Sequence, residues 1–229
     1  MNLRIPYKLW SLLLVLSIGC KNNEKKAIEA KDGIIKNDSV TIKTTAKTIL
    51  FFGNSLTAGY GLDDPSQAFP SLIQNTVDSL KLPYKTVNAG VSGETSSGGN
   101  SRIDWVLRQP VAVFVLELGA NDGLRGIPVS ETKKNLQAIF DKVKAKYPAV
   151  KLVLAGMEVP PNMGQKYTSD FRAIFPELAK KNNAAIIPFL LKGVGGEVSL
   201  NQRDGIHPTE AGHKIVAANV WGVLKELLN

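Results

Sequence analysis

The chain has 229 residues, a net charge of +8, two histidines and one cysteine. With 44% apolar residues and a mean hydropathy of −0.03, its composition suits one large globular domain or two small ones, and excludes a disordered chain or a polytopic membrane protein. One cysteine rules out an internal disulfide, a thiolate zinc cluster and a cysteine-ligated iron–sulfur centre, and two histidines leave little for a histidine-built metal site.

Arg4 and Lys8 precede a short apolar run, Leu9 to Ile18, which is too short to cross a bilayer, and Gly19-Cys20 follow. Residues 1–20 read as a signal peptide. They resemble a bacterial lipoprotein signal, in which Cys20 becomes the lipidated first residue and anchors an exported protein to a membrane. Ser17 departs from that pattern, which usually has a larger aliphatic there. Residues 21–47 are polar, lack aromatics and hold seven Lys against four Asp and Glu, the composition of a flexible tether. Signal and tether carry five of the eight net charges, so the remaining chain is nearly balanced and a nucleic-acid partner loses its main support.

From Thr48 onward the chain alternates apolar strands with amphipathic helices. Thr48–Gly53 reads as a buried strand, and Phe69, Leu72, Ile73, Val77 and Leu80 follow helical spacing. Tyr84–Ala89 is a second strand ended by Gly90, and Ile103, Val106 and Leu107 mark a short helix stopped at Pro110. Val111–Leu116 is the strongest strand signal. Leu136, Ile139, Phe140 and Val143 make a helix with Ser130 as its expected N-cap. Lys151–Ala155 is a fourth strand, Phe171 to Leu178 a helix despite Pro176, and Ala185–Pro188 a fifth strand. Thr209 caps a final helix through Val216, Val220, Val223 and Leu227. Such alternation predicts an α/β fold with a parallel, doubly wound sheet covered on both faces, in one domain over 48–229. Ligands of such sheets bind at the carboxyl ends of the strands.

The segments after the strands hold the reactive residues: Gly53-Asn54-Ser55 after the first, Gly90 at the end of the second, Gly119-Ala-Asn121-Asp122 after the third and Asp204-Gly-Ile-His207 before the last helix. A serine hydroxyl needs a neighbouring base, imidazole suits that role, and a carboxylate orients the imidazole. Asp204 and His207 are three apart, within reach of each other on one turn. The Ser55 and Gly90 amides and the Asn121 side chain are the expected oxyanion donors. Each piece alone is an ordinary turn or cap; their convergence on one sheet edge points to a serine acyl hydrolase. His213 falls inside the last helix beside its apolar stripe and reads as structural. Asp63, Asp64 and Asp122 read as solvated turn acids rather than metal ligands. No G-x-S-x-G elbow and no phosphate-binding G-x-x-x-x-G-K-[ST] loop is present.

Gly53-Asn-Ser-Leu-Thr57, Asn88-Ala-Gly-Val-Ser-Gly-Glu-Thr95, Gly119-Ala-Asn-Asp122 and Asp204-Gly-Ile-His-Pro208 resemble the four blocks of the SGNH (GDSL-type) hydrolases, nearest the thioesterase I, lysophospholipase and arylesterase branch. The resemblance implies a three-layer α/β/α sandwich with a five-stranded, flavodoxin-like sheet. It implies hydrolysis of acyl esters through an acyl-serine, with no cofactor and no metal. It assigns Ser55 as nucleophile, His207 as base and Asp204 as its orienter, with Ser55, Gly90 and Asn121 as oxyanion donors. Expected substrates are small acyl esters, thioesters or lysophospholipids, or alternatively acetylated carbohydrate. A monomer is expected. A non-catalytic tethered binding module on the same fold is the reading from another class. By resemblance, Leu124–Pro128 and Glu158–Met163 flank the acyl chain. The residue before the serine is commonly aspartate, and here it is Asn54.

Overall fold

The computed structural model describes residues 46–228. The signal-like segment, Cys20 and all but the last two residues of the expected tether lie outside the described residues. Lys47, expected in the tether, already belongs to the sheet: its N–H donates to the Pro83 carbonyl at 2.8 Å and opens the first strand.

In chain order the elements are β1 (Lys47–Gly53), α1 (Ser55–Ala58), α2 (Phe69–Ser79), β2 (Tyr84–Gly90), α3 (Ser96–Val106), β3 (Val113–Glu117), α4 (Ala120–Leu124), α5 (Val129–Lys146), β4 (Lys151–Ala155), α6 (Gln165–Asn182), β5 (Ala185–Ile187) and α7 (Glu210–Leu224). The five strands are all parallel, in the order β2-β1-β3-β4-β5. Helices α2 and α7 pack together, and α3, α5 and α6 form the second group, which gives an α/β/α sandwich. The sheet reverses its winding between β1 and β3, and at this switch point the strand ends leave a crevice.

Composition explains the strand positions. β3 lies at the centre with every residue buried, and it reads as an apolar run closed by Glu117. β2 is an edge strand, and its mixed Tyr-Lys-Thr-Val-Asn sequence leaves most of its residues partly or fully exposed. The largest fully buried side chains of the core are phenylalanines: Phe51 meets Phe69 edge-on at 5.5 Å, and Phe52, Phe114 and Phe140 are sealed from solvent. Each such side chain contributes roughly 1.5–3 kcal/mol by burial.

Two local expectations change. α5 starts at Val129, so Ser130 lies inside the first turn and does not cap it; Pro128 precedes the helix with φ −51°, already near the helical value. Asp122 is not a solvated acid: it is 0% exposed, accepts from the Ser96 N–H at 2.8 Å and from the Ser96 and Thr132 hydroxyls, and ties α3, α4 and α5 together. Asp63 and Asp64 are exposed, as read, with Asp64 capping the turn over Pro65–Gln67. His213 is structural. Its Nδ1 accepts from the Phe69 N–H at 3.3 Å, at the start of α2, which has no other side-chain cap. Burial, and then the charge of His207, hold its imidazole down at about 4, so it stays neutral.

Candidate active site

The site begins where β1 ends. Asn54 caps the single turn of α1: its Oδ1 accepts from the Leu56 N–H at 2.9 Å, and Gly59 closes the turn with φ +79°. Ser55 is therefore the first residue of a tight strand-to-helix turn, 7% exposed, with its hydroxyl at the carboxyl edge of the sheet. Asn121, in the first turn of α4, arrives at the same edge from β3.

The partner loop arrives from the opposite end of the chain. Asp204 Oδ1 accepts from the N–H groups of Ile206 and His207, both at 3.0 Å, while Gly205 takes φ +74°. This local turn sets the His207 ring between two partners: Nδ1 lies 2.7 Å from Asp204 Oδ2, and Nε2 lies 2.8 Å from Ser55 Oγ. The loop is anchored by Gln202, whose N–H donates to the His207 carbonyl at 2.7 Å and whose Nε2 donates to the Tyr60 carbonyl at 2.7 Å. The Tyr60 ring leans on the imidazole, with centroids 4.7 Å apart.

Partial burial disfavours a charge on Asp204. The hydrogen bond from the His207 ring and those from the two backbone amides outweigh it and hold the carboxyl at about 2. An ionised Asp204 fixes the proton on Nδ1. Nε2 is then left with its lone pair facing the serine hydroxyl, as nucleophilic attack requires.

Ser55, His207, Asp204 and Asn121 line one cleft of about 630 Å³. Its walls are largely apolar, from Leu124, Met157, Val159, Pro160, Leu191 and Ile206. Leu124 and Glu158–Pro161 thus stand where the resemblance put the acyl-chain walls. Gly126, Pro128 and Met163 instead face a separate, shallower depression of about 740 Å³ that holds none of the reactive groups.

Gly90 is not brought to the cleft. Its N–H donates to the Asn88 side chain at 3.0 Å, and a Cβ there would stand 2.2 Å from the Ala58 nitrogen. It is a packing glycine that lets α1 lie against the end of β2. Three residues later Gly93 does line the cleft, with φ +78°, and its N–H has no partner among the described residues. The second glycine of Gly90-Val-Ser-Gly93, three residues past the strand end, is the sequence signal for the glycine that reaches the cleft. The Ser55 N–H is likewise unpaired, and Asn121 Nδ2 spends one hydrogen on the Glu94 carbonyl at 3.0 Å, leaving the other.

A serine, an imidazole and a carboxylate in line beside an apolar cleft, at the switch point of a parallel sheet, define a serine hydrolase. The sequence profile of the GDSL-like lipase/acylhydrolase family matches residues 51–215. The chain is 38% identical over 190 residues to esterase TesA of Pseudomonas aeruginosa, covering 82% of this chain and 93% of that one. It is 36% identical over 185 residues to thioesterase 1/protease 1/lysophospholipase L1 of Escherichia coli K12, covering 80% and 86%. The psychrotrophic esterase EstA from Pseudoalteromonas sp., solved with monoethylphosphonate as inhibitor, superposes with a TM-score of 0.74 at 33% identity, over 80% of this chain and 99% of that one. The chain belongs to the GDSL-like lipase/acylhydrolase family, and it is an SGNH-type ester hydrolase.

Proposed function

We propose that the protein hydrolyses small acyl esters with Ser55 as nucleophile, His207 as general base and acid, and Asp204 as the residue that orients the imidazole. The observation that carries this reading is the continuous Ser55–His207–Asp204 hydrogen-bonded chain, with spacings of 2.8 and 2.7 Å. Ser55 Oγ attacks the acyl carbon as its proton passes to His207 Nε2. The oxyanion takes bonds from the Ser55 and Gly93 N–H groups and Asn121 Nδ2. Collapse expels the alcohol or thiol, which takes the proton from His207. Water then enters by the same route and frees the acid. We assign the glycine donor to Gly93 and not to Gly90, whose N–H is already engaged.

The apolar cleft suits a short to medium acyl chain. The names of the relatives support simple esters first, with thioesters and lysophospholipids as further substrates. The N-terminal sequence supports export and lipidation at Cys20, and we read the folded domain as a monomer at a membrane surface. The test is Ser55→Ala on a series of p-nitrophenyl esters from acetyl to dodecanoyl. Hydrolysis should fall by on the order of 10⁴-fold or more, and a phosphonate probe should label only the parent protein. Unchanged turnover in Ser55→Ala would end the reading. Metabolic labelling with palmitate, lost in Cys20→Ala, tests the anchor separately.

A further inference from the structure

Below the nucleophile lies an acid that the hydrolytic cycle does not use. Glu117 ends β3 and pairs in register with Gly53 at the end of β1. It is 1% exposed and does not line the cleft. Four donors converge on its carboxylate. Asn54 Nδ2 donates to one oxygen at 2.7 Å. The other oxygen accepts from the Asn54 N–H at 3.1 Å, the Thr57 N–H at 3.3 Å and the Thr57 hydroxyl at 2.8 Å. All four come from the two residues that flank Ser55 and Leu56. The fit is close enough to demand glycine at position 53, where a Cβ would stand 2.5 Å from the carboxylate and 2.1 Å from the Thr57 hydroxyl.

We infer that Glu117 is a positioning residue, whose buried carboxylate holds the Asn54–Thr57 turn and thereby aims Ser55 at His207. The inference rests on Ser55 being the nucleophile. It also gives Asn54 a directional role. Its amide has one acceptor end and one donor end, and both are engaged: Oδ1 accepts from the Leu56 N–H, and Nδ2 donates down to Glu117. An aspartate at position 54 keeps the first bond and turns the second into two carboxylates facing each other, which cannot both be ionised at that spacing. A protonated Glu117 would meet four donors with only three acceptor positions filled favourably. The ionised form matches the site, although burial alone disfavours it and the four bonds only partly offset that cost. The side chains bonded to the carboxylate, those of Asn54 and Thr57, are uncharged.

This arrangement makes a prediction by exchange. Glu117→Gln alone places an amide donor against Asn54 Nδ2 or against Thr57. Combined with Asn54→Asp, the glutamine amide at position 117 donates to the new carboxylate, and its carbonyl oxygen keeps the other three bonds. The donor and acceptor of one link are swapped and every other link survives. The experiment compares the parent protein, Glu117→Gln, Asn54→Asp and the double variant for kcat, KM and pH profile on p-nitrophenyl acetate, with circular dichroism as the folding control. Glu117→Gln should lower kcat by about a hundredfold with KM within about twofold, the signature of a misaimed nucleophile beside an intact cleft. The double variant should recover to within about threefold of the parent. Asn54→Asp should keep near-parent kcat at acid pH, where the pair holds one proton. It should gain a descending limb at alkaline pH, absent from the double variant. If Glu117→Gln does not fold, the pH profile of Asn54→Asp decides. A parent-like profile there, parent-like kcat in Glu117→Gln, or a double variant no better than Glu117→Gln would overturn the inference. Ser55→Ala separates the two readings: a dead Ser55→Ala beside a fully active Glu117→Gln removes only the positioning role, whereas an active Ser55→Ala removes the nucleophile itself.

Discussion

The two halves of the site are built on opposite principles. The serine half is buried: Asn54, Ser55, Thr57 and Glu117 are each 7% exposed or less, on a turn locked between two strand ends. The histidine half sits on an exposed loop, where Asp204 keeps 39% of its side chain in solvent and is held by a local turn and a few backbone bonds. Each half contains one carboxylate, and their surroundings drive them apart. Burial pushes Glu117 up to about 7, with the bonds from Thr57 and Asn54 pulling back. Burial counts for less at Asp204, and its bonds hold it at about 2. The buried acid can serve only through geometry, while the exposed one serves through charge next to the imidazole.

That contrast can be broken most severely at the exposed half. Asp204→Asn removes the charge and permits the wrong imidazole tautomer. kcat/KM for p-nitrophenyl acetate should drop by on the order of 10⁴-fold with folding unchanged. A loss under tenfold would show that the tautomer is held by something else. Next comes Asn121→Ala, which removes one oxyanion donor and should cost roughly 10²–10³ in kcat. The pH profile of the parent is read in the same steady-state assay. No limb from Asp204 should appear until pH approaches about 2, because its carboxylate stays ionised to that point.

Stability against pH sharpens the comparison further. The folded pKa of Glu117 lies above its ordinary value, so its contribution is fully present below pH 4.5 and is lost as pH rises through about 7. The loss amounts to about 3 kcal/mol. Asp204 behaves oppositely: its contribution is present above pH 3.8 and is lost as pH falls through about 2, muted by its exposure. Urea unfolding should therefore show parent stability declining from pH 5 to pH 8, with the decline reduced in Glu117→Gln/Asn54→Asp, whose buried charge has moved. An unchanged slope would show that Glu117 does not titrate in this range. The smallest effect separates the two glycines. Gly93→Ala meets little beyond Arg125 at 3.9 Å and should cost about 1 kcal/mol from its positive φ, while shifting its N–H and lowering kcat. Gly90→Ala should act through folding, because its Cβ has no room beside Ala58.

The strand–helix alternation, the sheet and the Asp204–His207 pair were readable because they depend on local patterns: apolar runs, helical spacing and a three-residue gap from Asp204 to His207. What escaped depends on partners distant in sequence. Asp122 looks like any turn acid until Ser96 and Thr132, 26 and 10 residues away, enclose it. Glu117 looks like a polar strand end until Gly53 and Thr57 close over it. Gly90 and Gly93 differ in backbone conformation and in what stands next to them, and Ser130 lost its capping place to a proline whose ring sets φ at −51°. Burial of a polar group is a tertiary property, and one sequence does not print it.

The hydrogen bond between Ser55 and His207 joins positions 152 apart in the chain. Everything in the serine half is complete once β3 has joined β1, yet the base lies beyond β5, after two further crossovers. Parallel sheets of this kind close late and slowly, since each crossover must form before its contacts are gained. On the proposed mechanism, a growing or partly folded chain therefore holds Ser55 in place without the means to deprotonate it. On that mechanism activity appears only with the last loop, so the onset of ester hydrolysis in a refolding experiment is a clock for the final docking step.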